Sequence, residues 1–309
     1  MASDDGGRTG AAVVLMVGAT ILLAATMLLA KSLGTAALGA PLHPFQVTFG
    51  RFLFAALAVA AAIALLRPRV RPDRWRLHVA RVLFGWGGVT LMFAAVATIP
   101  LAEATAISFL NPVVAMALAV PLLGERVGPI RWAAAAIAVA GALLLLRPGS
   151  AAIAPGALLA LSAALALGAE VLIIKRLTRT EGTLAILAYS NGVGLAIATA
   201  TALPVWQTPA GAQWAAMAGL GLAMAAAQLC FASALARADA SLVTPFSYLT
   251  LVFAGLYDAA IFGVVPDAVG WAGAALIVAG AGLLAWREAR AARIPTAPAP
   301  LAAGRRPTG

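Results

Sequence analysis

The chain has 309 residues, 63% of them apolar and 10% charged, with a mean hydropathy of +0.98 and a formal net charge of +10. These values exclude a soluble globular domain, in which about a quarter of the residues are charged. Nor do they describe a nucleic-acid surface, because the arginines lie between apolar runs and are not interleaved with aromatics in a polar domain.

In chain order, residues 1–10 form a short polar N-terminus, and residues 11–30 are long enough to span a hydrocarbon core of about 30 Å. Asp4 and Asp5, with further spans following at once, argue against a cleaved signal peptide. More spans are expected at 45–66, 79–99, 102–123, 130–146, 154–174, 183–203, 213–236, 241–263 and 269–286, which makes ten helices. The links are short and marked by Pro or Gly, among them Pro41, Pro72, Pro100, Pro148, Pro204 and Pro266, so no soluble domain is inserted. Residues 287–309 are basic and Pro-rich, the composition of a disordered tail. If both ends are cytoplasmic, 18 of the 21 lysines and arginines fall on that side, leaving Lys31, Arg51 and Arg147 opposite. Cys230 is the single cysteine, which excludes an intramolecular disulfide and a cysteine metal cluster.

Residues 102–146 carry the strongest local signal. An apolar helix is interrupted by Asn111 and Pro112, turns at Gly124, Glu125 and Arg126, and is followed by a second apolar helix. Proline removes a helical N–H and strains the preceding turn, so at mid-membrane depth it frees carbonyls that need neighbours, water or a ligand. Interrupted helices at the bilayer midplane point to substrate sites in secondary transporters, although packing kinks share the pattern.

Polar side chains within the spans cost a few kcal/mol each unless paired or wetted, which makes them functional candidates. Ser108, Pro112 and Ala115 form a small, polar strip on the fourth helix with Asn111 at its edge. On the ninth, Thr244, Tyr248, Gly255 and Asp258 share a stripe with Ser247 beside it. Gln228, Asn191 and Trp86 are further candidates for contact with a ligand or a neighbouring backbone. Lys31 ends a face of the first helix, and Asp258 approaches the same side of the membrane, so the two form a candidate ion pair, and Asp258 is with Glu170 a candidate protonation site for proton coupling. Glu170, just over a turn before Lys175, either couples protons or neutralises Lys175 and Arg176. Arg51 is expected to snorkel to the interface. Glu125 beside Arg126 and Arg131 reads as an ion pair at a helix end, in a structural turn with Gly124.

The chain also repeats itself. Residues 132–141 read against 271–280, Leu123-Gly124 against Phe262-Gly263, and residues 27–31 against 171–175. Two halves, 11–147 and 154–286, therefore hold five helices each. Five is odd, so the second half enters the membrane inverted, and a site is expected between the halves.

The two halves, the Gly124-Glu125-Arg126 turn followed by Trp132 and Gly141, the Asn111-Pro112 break and the Ala240–Tyr248 opening of the ninth helix together resemble the EamA family of the drug/metabolite transporter superfamily. The resemblance covers nearly the whole chain. It implies a bacterial inner-membrane carrier with ten helices, two EamA repeats, a central cavity and alternating access. One departure is Val264, which follows Gly263 where the family usually has a glutamate.

Enzyme chemistry finds little support in the sequence. No Gly-x-x-x-x-Gly-Lys-Ser/Thr phosphate loop occurs, the only histidines, His43 and His78, lie at loops or helix ends, and no aspartates cluster within the spans. The reading is therefore an all-α membrane protein that transports a small organic metabolite of the amino-acid, nucleoside, vitamin or adenosyl-compound class. It needs no cofactor or metal, its partners are the solute and the lipid bilayer rather than nucleic acid, and its oligomeric state is open. A non-transport assembly protein and a lipid-handling flippase or enzyme are the alternatives.

Overall fold

A computed structural model describes residues 2–66, 74–124, 128–146, 154–177, 183–235, 237, 246–247 and 249–292. Among these residues all regular structure is helical. The helices are α1 (Ala2–Gly34), α2 (Pro44–Leu66), α3 (Trp75–Val96), α4 (Leu101–Ser108), α5 (Asn111–Leu123), α6 (Pro129–Leu146), α7 (Pro155–Leu177), α8 (Thr183–Ala202), α9 (Gly211–Leu235), α10 (Leu249–Tyr257) and α11 (Ala268–Ala292). With α4 and α5 as the two parts of one interrupted span, they make ten crossings. Seven described segments are long and apolar enough to cross a membrane outright, and three shorter apolar helices complete the set. Ten is even, so the start of α1 and the end of α11 lie on one side, called here the terminal side, and the opposite face is the far side.

Local chemistry sets the helix ends. Pro44, Pro129 and Pro155 each open a helix, where the missing N–H would have no intrahelical partner anyway. Gly124 and Gly263 close α5 and the π-helical turn Asp258–Phe262 that extends α10, with φ of 67° and 66°, a left-handed conformation open to glycine at little cost. These two glycines occupy matching places in the halves.

Two ends differ from expectation. Residues 2–10 belong to α1 and residues 287–292 to α11, whereas the sequence suggested a polar N-terminus and a tail there. A formed helix adds one hydrogen bond for each further residue fixed, so both helices extend past their apolar segments. The rest of the expected tail lies outside the described residues.

Packing follows a two-fold pattern. α1 packs on α9 as α7 packs on α3, α2 on α9 as α8 on α3, and α1 on α10 as α7 on α5 and α4. Three contacts are their own counterparts, namely α2 with α8, α4 with α10, and α6 with α11. The last is the most intimate. A Cβ on Gly141 would lie 2.6 Å from the Gly273 carbonyl and 2.8 Å from the Ile277 nitrogen, and one on Gly280 would lie 2.6 Å from both the Ala134 carbonyl and the Ala138 nitrogen. The register that aligns Trp132 with Trp271 also aligns Ala134 with Gly273, Ala138 with Ile277 and Gly141 with Gly280. Each half therefore presents a glycine at the same register to the other, as expected where lipid supplies no hydrophobic drive and close backbone approach must hold helices together.

Candidate functional site

The span formed by α4 and α5 breaks at Phe109 and Leu110. Leu110 N–H donates to the Ile107 carbonyl at 3.0 Å, a tight turn, before α5 starts with Asn111 and Pro112 in its first turn. There Pro112 costs no intrahelical bond, while its missing N–H leaves the Ser108 carbonyl without the usual i+4 donor. The break therefore falls where the sequence indicated, one or two residues earlier than Asn111.

Beside it lies a cavity of about 260 Å³ lined by α1 to α5 and α7 to α10. Its polar wall contains Arg51, Arg81, Trp86, Thr105, Glu170 and Gln228, with Ser108, Asn111, Ser190 and Thr250 completing it. Glu170 Oε1 is 3.3 Å from Arg81 Nε, and Arg81 Nη1 donates to the Ile186 carbonyl at 3.2 Å. The Arg51 guanidinium sits 4.0 Å from the centroid of the Phe52 ring. Five polar atoms of these lining residues, Arg51 Nε, Arg81 Nε, Trp86 Nε1, Thr105 Oγ1 and Thr250 Oγ1, are buried with no hydrogen-bond partner among the described residues, Arg81 Nε meeting Glu170 as a charge without the alignment of a hydrogen bond. Buried polar atoms are nearly always paired, so five orphans around one cavity is an unusual concentration. A second cavity of about 550 Å³ shares Leu23, Arg81, Met224, Gln228 and Thr250 with the first and continues past Met16, Ile174, Ile186 and Ser247 towards the terminal side.

The far side is shut. Lys31 Nζ lies 2.5 Å from Asp258 Oδ1, and Leu101 N–H donates to Asp258 Oδ2 at 2.5 Å. The Gln46 side chain makes a two-point bond with Gln207, donating to its carbonyl at 2.6 Å and accepting from its N–H at 3.1 Å. Gln213 donates to the Ala40 carbonyl at 2.8 Å, and Phe49, Trp206 and Trp214 pack edge to face and tilted beside these bonds.

The structure thus divides the candidates from the sequence. Trp86, Ser108, Asn111, Gln228 and Glu170 meet at the central cavity, and Ser247 lines only the wider one. Pro112 shapes the break without lining either. Lys31 and Asp258 come together at the far side, and Gly255 faces Ala102 of α4, so the two described members of the ninth-span stripe, Gly255 and Asp258, line neither cavity. Asn191 donates to the Leu187 carbonyl of its own helix at 2.9 Å. Gly124 is the left-handed cap described above. Glu125, Arg126, Thr244 and Tyr248 lie outside the described residues, and Lys175 is described in its backbone only.

Two assignments change. Arg51 does not snorkel to the interface. It is 6% exposed and turned into the cavity, where neighbouring helices close over it. Glu170 meets Arg81 of α3, a partner not expected from the sequence, and the side chains of Lys175 and Arg176 lie outside the described residues. Arg81 itself escapes sequence reading because it follows a run of arginines at the terminal side, yet it sits two turns inside α3. The available signal was Gly85 and Gly88. A Cβ on Gly85 would come within 2.7 Å of Glu170 Oε1, and one on Gly88 within 2.8 Å of Leu167, so these glycines admit α7 and its carboxylate to the face of α3.

Two inverted five-helix halves around a polar, mid-depth cavity define a secondary membrane carrier. The sequence pattern of the EamA-like transporter family matches residues 10–147 and again 154–286. A riboflavin transporter of Rhizobium johnstonii is 38% identical over 72% of this chain and 73% of its own length. An S-adenosylmethionine uptake transporter of Rickettsia prowazekii is 28% identical over 78% and 82%, and a pseudopaline exporter of Pseudomonas aeruginosa 29% identical over 76% and 81%. A solved crystal structure at 25% identity superposes with a TM-score of 0.64, covering 92% of this chain and 99% of the other. The chain belongs to the EamA-like transporter family. It is a multi-pass membrane transporter of small metabolites, and its function is transport rather than catalysis.

Proposed function

We propose that the protein carries a ring-bearing metabolite of the vitamin or adenosyl-compound class through the cavity bounded by Arg51, Arg81, Trp86 and Glu170, by alternating access of its inverted halves. The observation that carries this reading is one cavity whose wall sets two guanidinium groups, Arg51 and Arg81, against one carboxylate, Glu170, with Trp86, Thr105 and Gln228 beside them, a polar lining that suits a polar solute. The cavities together have the size of small-ligand sites, which run from about 300 to 1,000 Å³. The relatives named for riboflavin and S-adenosylmethionine support the solute class. The bias of Lys and Arg supports cytoplasmic termini in a bacterial inner membrane, so the conformation described opens inward and is shut outward. Glu170 is the candidate for proton coupling, because it is the carboxylate that faces the solute space, while Lys31 and Asp258 act as the outer latch.

The test is flux of labelled riboflavin, S-adenosylmethionine, nucleosides and amino acids into proteoliposomes, with and without a pH gradient. Saturable uptake of one member, accelerated by the gradient, supports a proton-coupled carrier. Uptake that requires solute on the opposite face and ignores the gradient replaces coupling by exchange. Silence across the panel with folded protein removes the solute-carrier reading in favour of a lipid substrate.

A further inference from the structure

We infer that the solute bears a single carboxylate attached to a planar ring, and that Arg51 is the residue that selects it. This rests on the proposed transport through the central cavity and names the chemistry of its solute. The cavity wall holds two guanidinium groups, Arg51 and Arg81, against one carboxylate, Glu170. Arg81 is the group that Glu170 meets, at 3.3 Å. Arg51 has no carboxylate within 4.0 Å among the described residues, and its Nε is buried without a hydrogen-bond partner. The face of Phe52 lies against the guanidinium, a partial substitute for an anion.

A guanidinium that is 6% exposed at this depth of a membrane protein is costly to maintain when it only shares the charge of Glu170 with Arg81, and ionisable groups kept there mark solute paths. The surplus is one positive charge, which a monoanion neutralises. The fork of Arg51 matches the planar geometry of a carboxylate, which accepts two parallel N–H bonds. The rest of the solute meets Trp86, whose indole Nε1 is also unpartnered, together with Phe52 and Phe109. These are surfaces for a flat ring.

Isosteric acid and amide pairs isolate the charge. Proteoliposomes are loaded with labelled indole-3-acetate or indole-3-acetamide, and with nicotinate or nicotinamide, alongside riboflavin and S-adenosylmethionine. The inference expects at least one acid to move tenfold or more faster than its amide. Arg51→Gln should lower that acid's flux at least tenfold with little change for the amide, and Arg51→Lys, which keeps the charge, should retain part of the preference. Uptake of neutral rings equal to or better than the acids overturns the inference while leaving the carrier reading intact. So does an Arg51→Gln variant, folded by size-exclusion chromatography, that slows acid and amide alike. If Arg51→Gln does not fold, an Arg51→Lys variant with no acid preference overturns it in the same way. No flux of any compound through folded protein removes the carrier reading and this inference with it.

Discussion

Lys31 and Asp258 meet at the far side of the bundle, 227 residues apart in sequence, and the same carboxylate accepts the N–H of Leu101 at the start of α4. One buried carboxylate thus joins α1, α10 and α4, and it lies at a helix N-terminus, where the backbone presents unpaired donors and partial positive charge. The lock is one-sided. The register that matches Gly263 with Gly124 sets Ala119 against Asp258, so repeat 1 has no carboxylate at the equivalent place.

Removing either partner strands the other as a buried charge, which costs about 3–5 kcal/mol, whereas removing both does not. Lys31→Ala and Asp258→Ala should each lower thermal stability in detergent, and the double variant should be more stable than the sum of the two losses implies. Additive losses would show that the groups do not act as a pair.

The same contact bears on the conformational balance. In a Cys230→Ser background with Met92→Cys as reporter, Asp258→Asn should raise the rate at which a membrane-impermeant thiol reagent applied from the far side reaches the cavity. An unchanged rate would mean that the Gln46 and Gln207 bonds hold this side closed without the ion pair.

Gly85 and Gly87 make a matched comparison. A Cβ at Gly85 meets the Glu170 carboxylate at 2.7 Å, while one at Gly87 meets nothing within 4 Å. Gly85→Ala should displace Glu170 from Arg81 and reduce transport severalfold, and Gly87→Ala should transport normally with equal or slightly higher stability, since alanine favours the helix by about 1 kcal/mol. Equal transport by both variants would deny Glu170 its place in the solute path.

Glu170→Gln keeps the size of the side chain and removes its charge. If protons enter through this carboxylate, the variant should carry solute by exchange at near-normal rate while losing all response to a pH gradient. Retained gradient dependence would move the coupling site elsewhere.

How much of this was legible in the sequence depends on the kind of signal. The ten spans and two halves were readable because hydrophobic length and the repeated Trp132 and Trp271 segments are properties of the chain itself. The interruption near Asn111 was readable because proline acts on its own helix. The Lys31 to Asp258 contact was suggested by which membrane side each residue approaches. What escaped was which face each helix turns inward. Arg51 looks like an interface arginine until α8 and α9 are seen closing over it, and Arg81 looks like the end of a basic loop. The π turn at Asp258–Phe262 also escaped, because nothing in the 3.6-residue pattern of the ninth span marks it.

Gly141 and Gly280 should be equally intolerant. Alanine at either would press a Cβ into the opposing backbone at 2.6 Å, and overpacking of this kind costs about 1–3 kcal/mol. Matching losses of melting temperature are expected for Gly141→Ala and Gly280→Ala, with markedly unequal losses showing that the seam is not symmetric.

That seam has a further consequence. Neither α6 nor α11 lines the two cavities, and the surface each offers is complementary to itself in reverse. A self-complementary face is what two separate copies of one helix would use to pair antiparallel about a two-fold axis, so the seam does not depend on the covalent link between the halves. Cut there and produced as two polypeptides in one membrane, the halves carry the means to find each other.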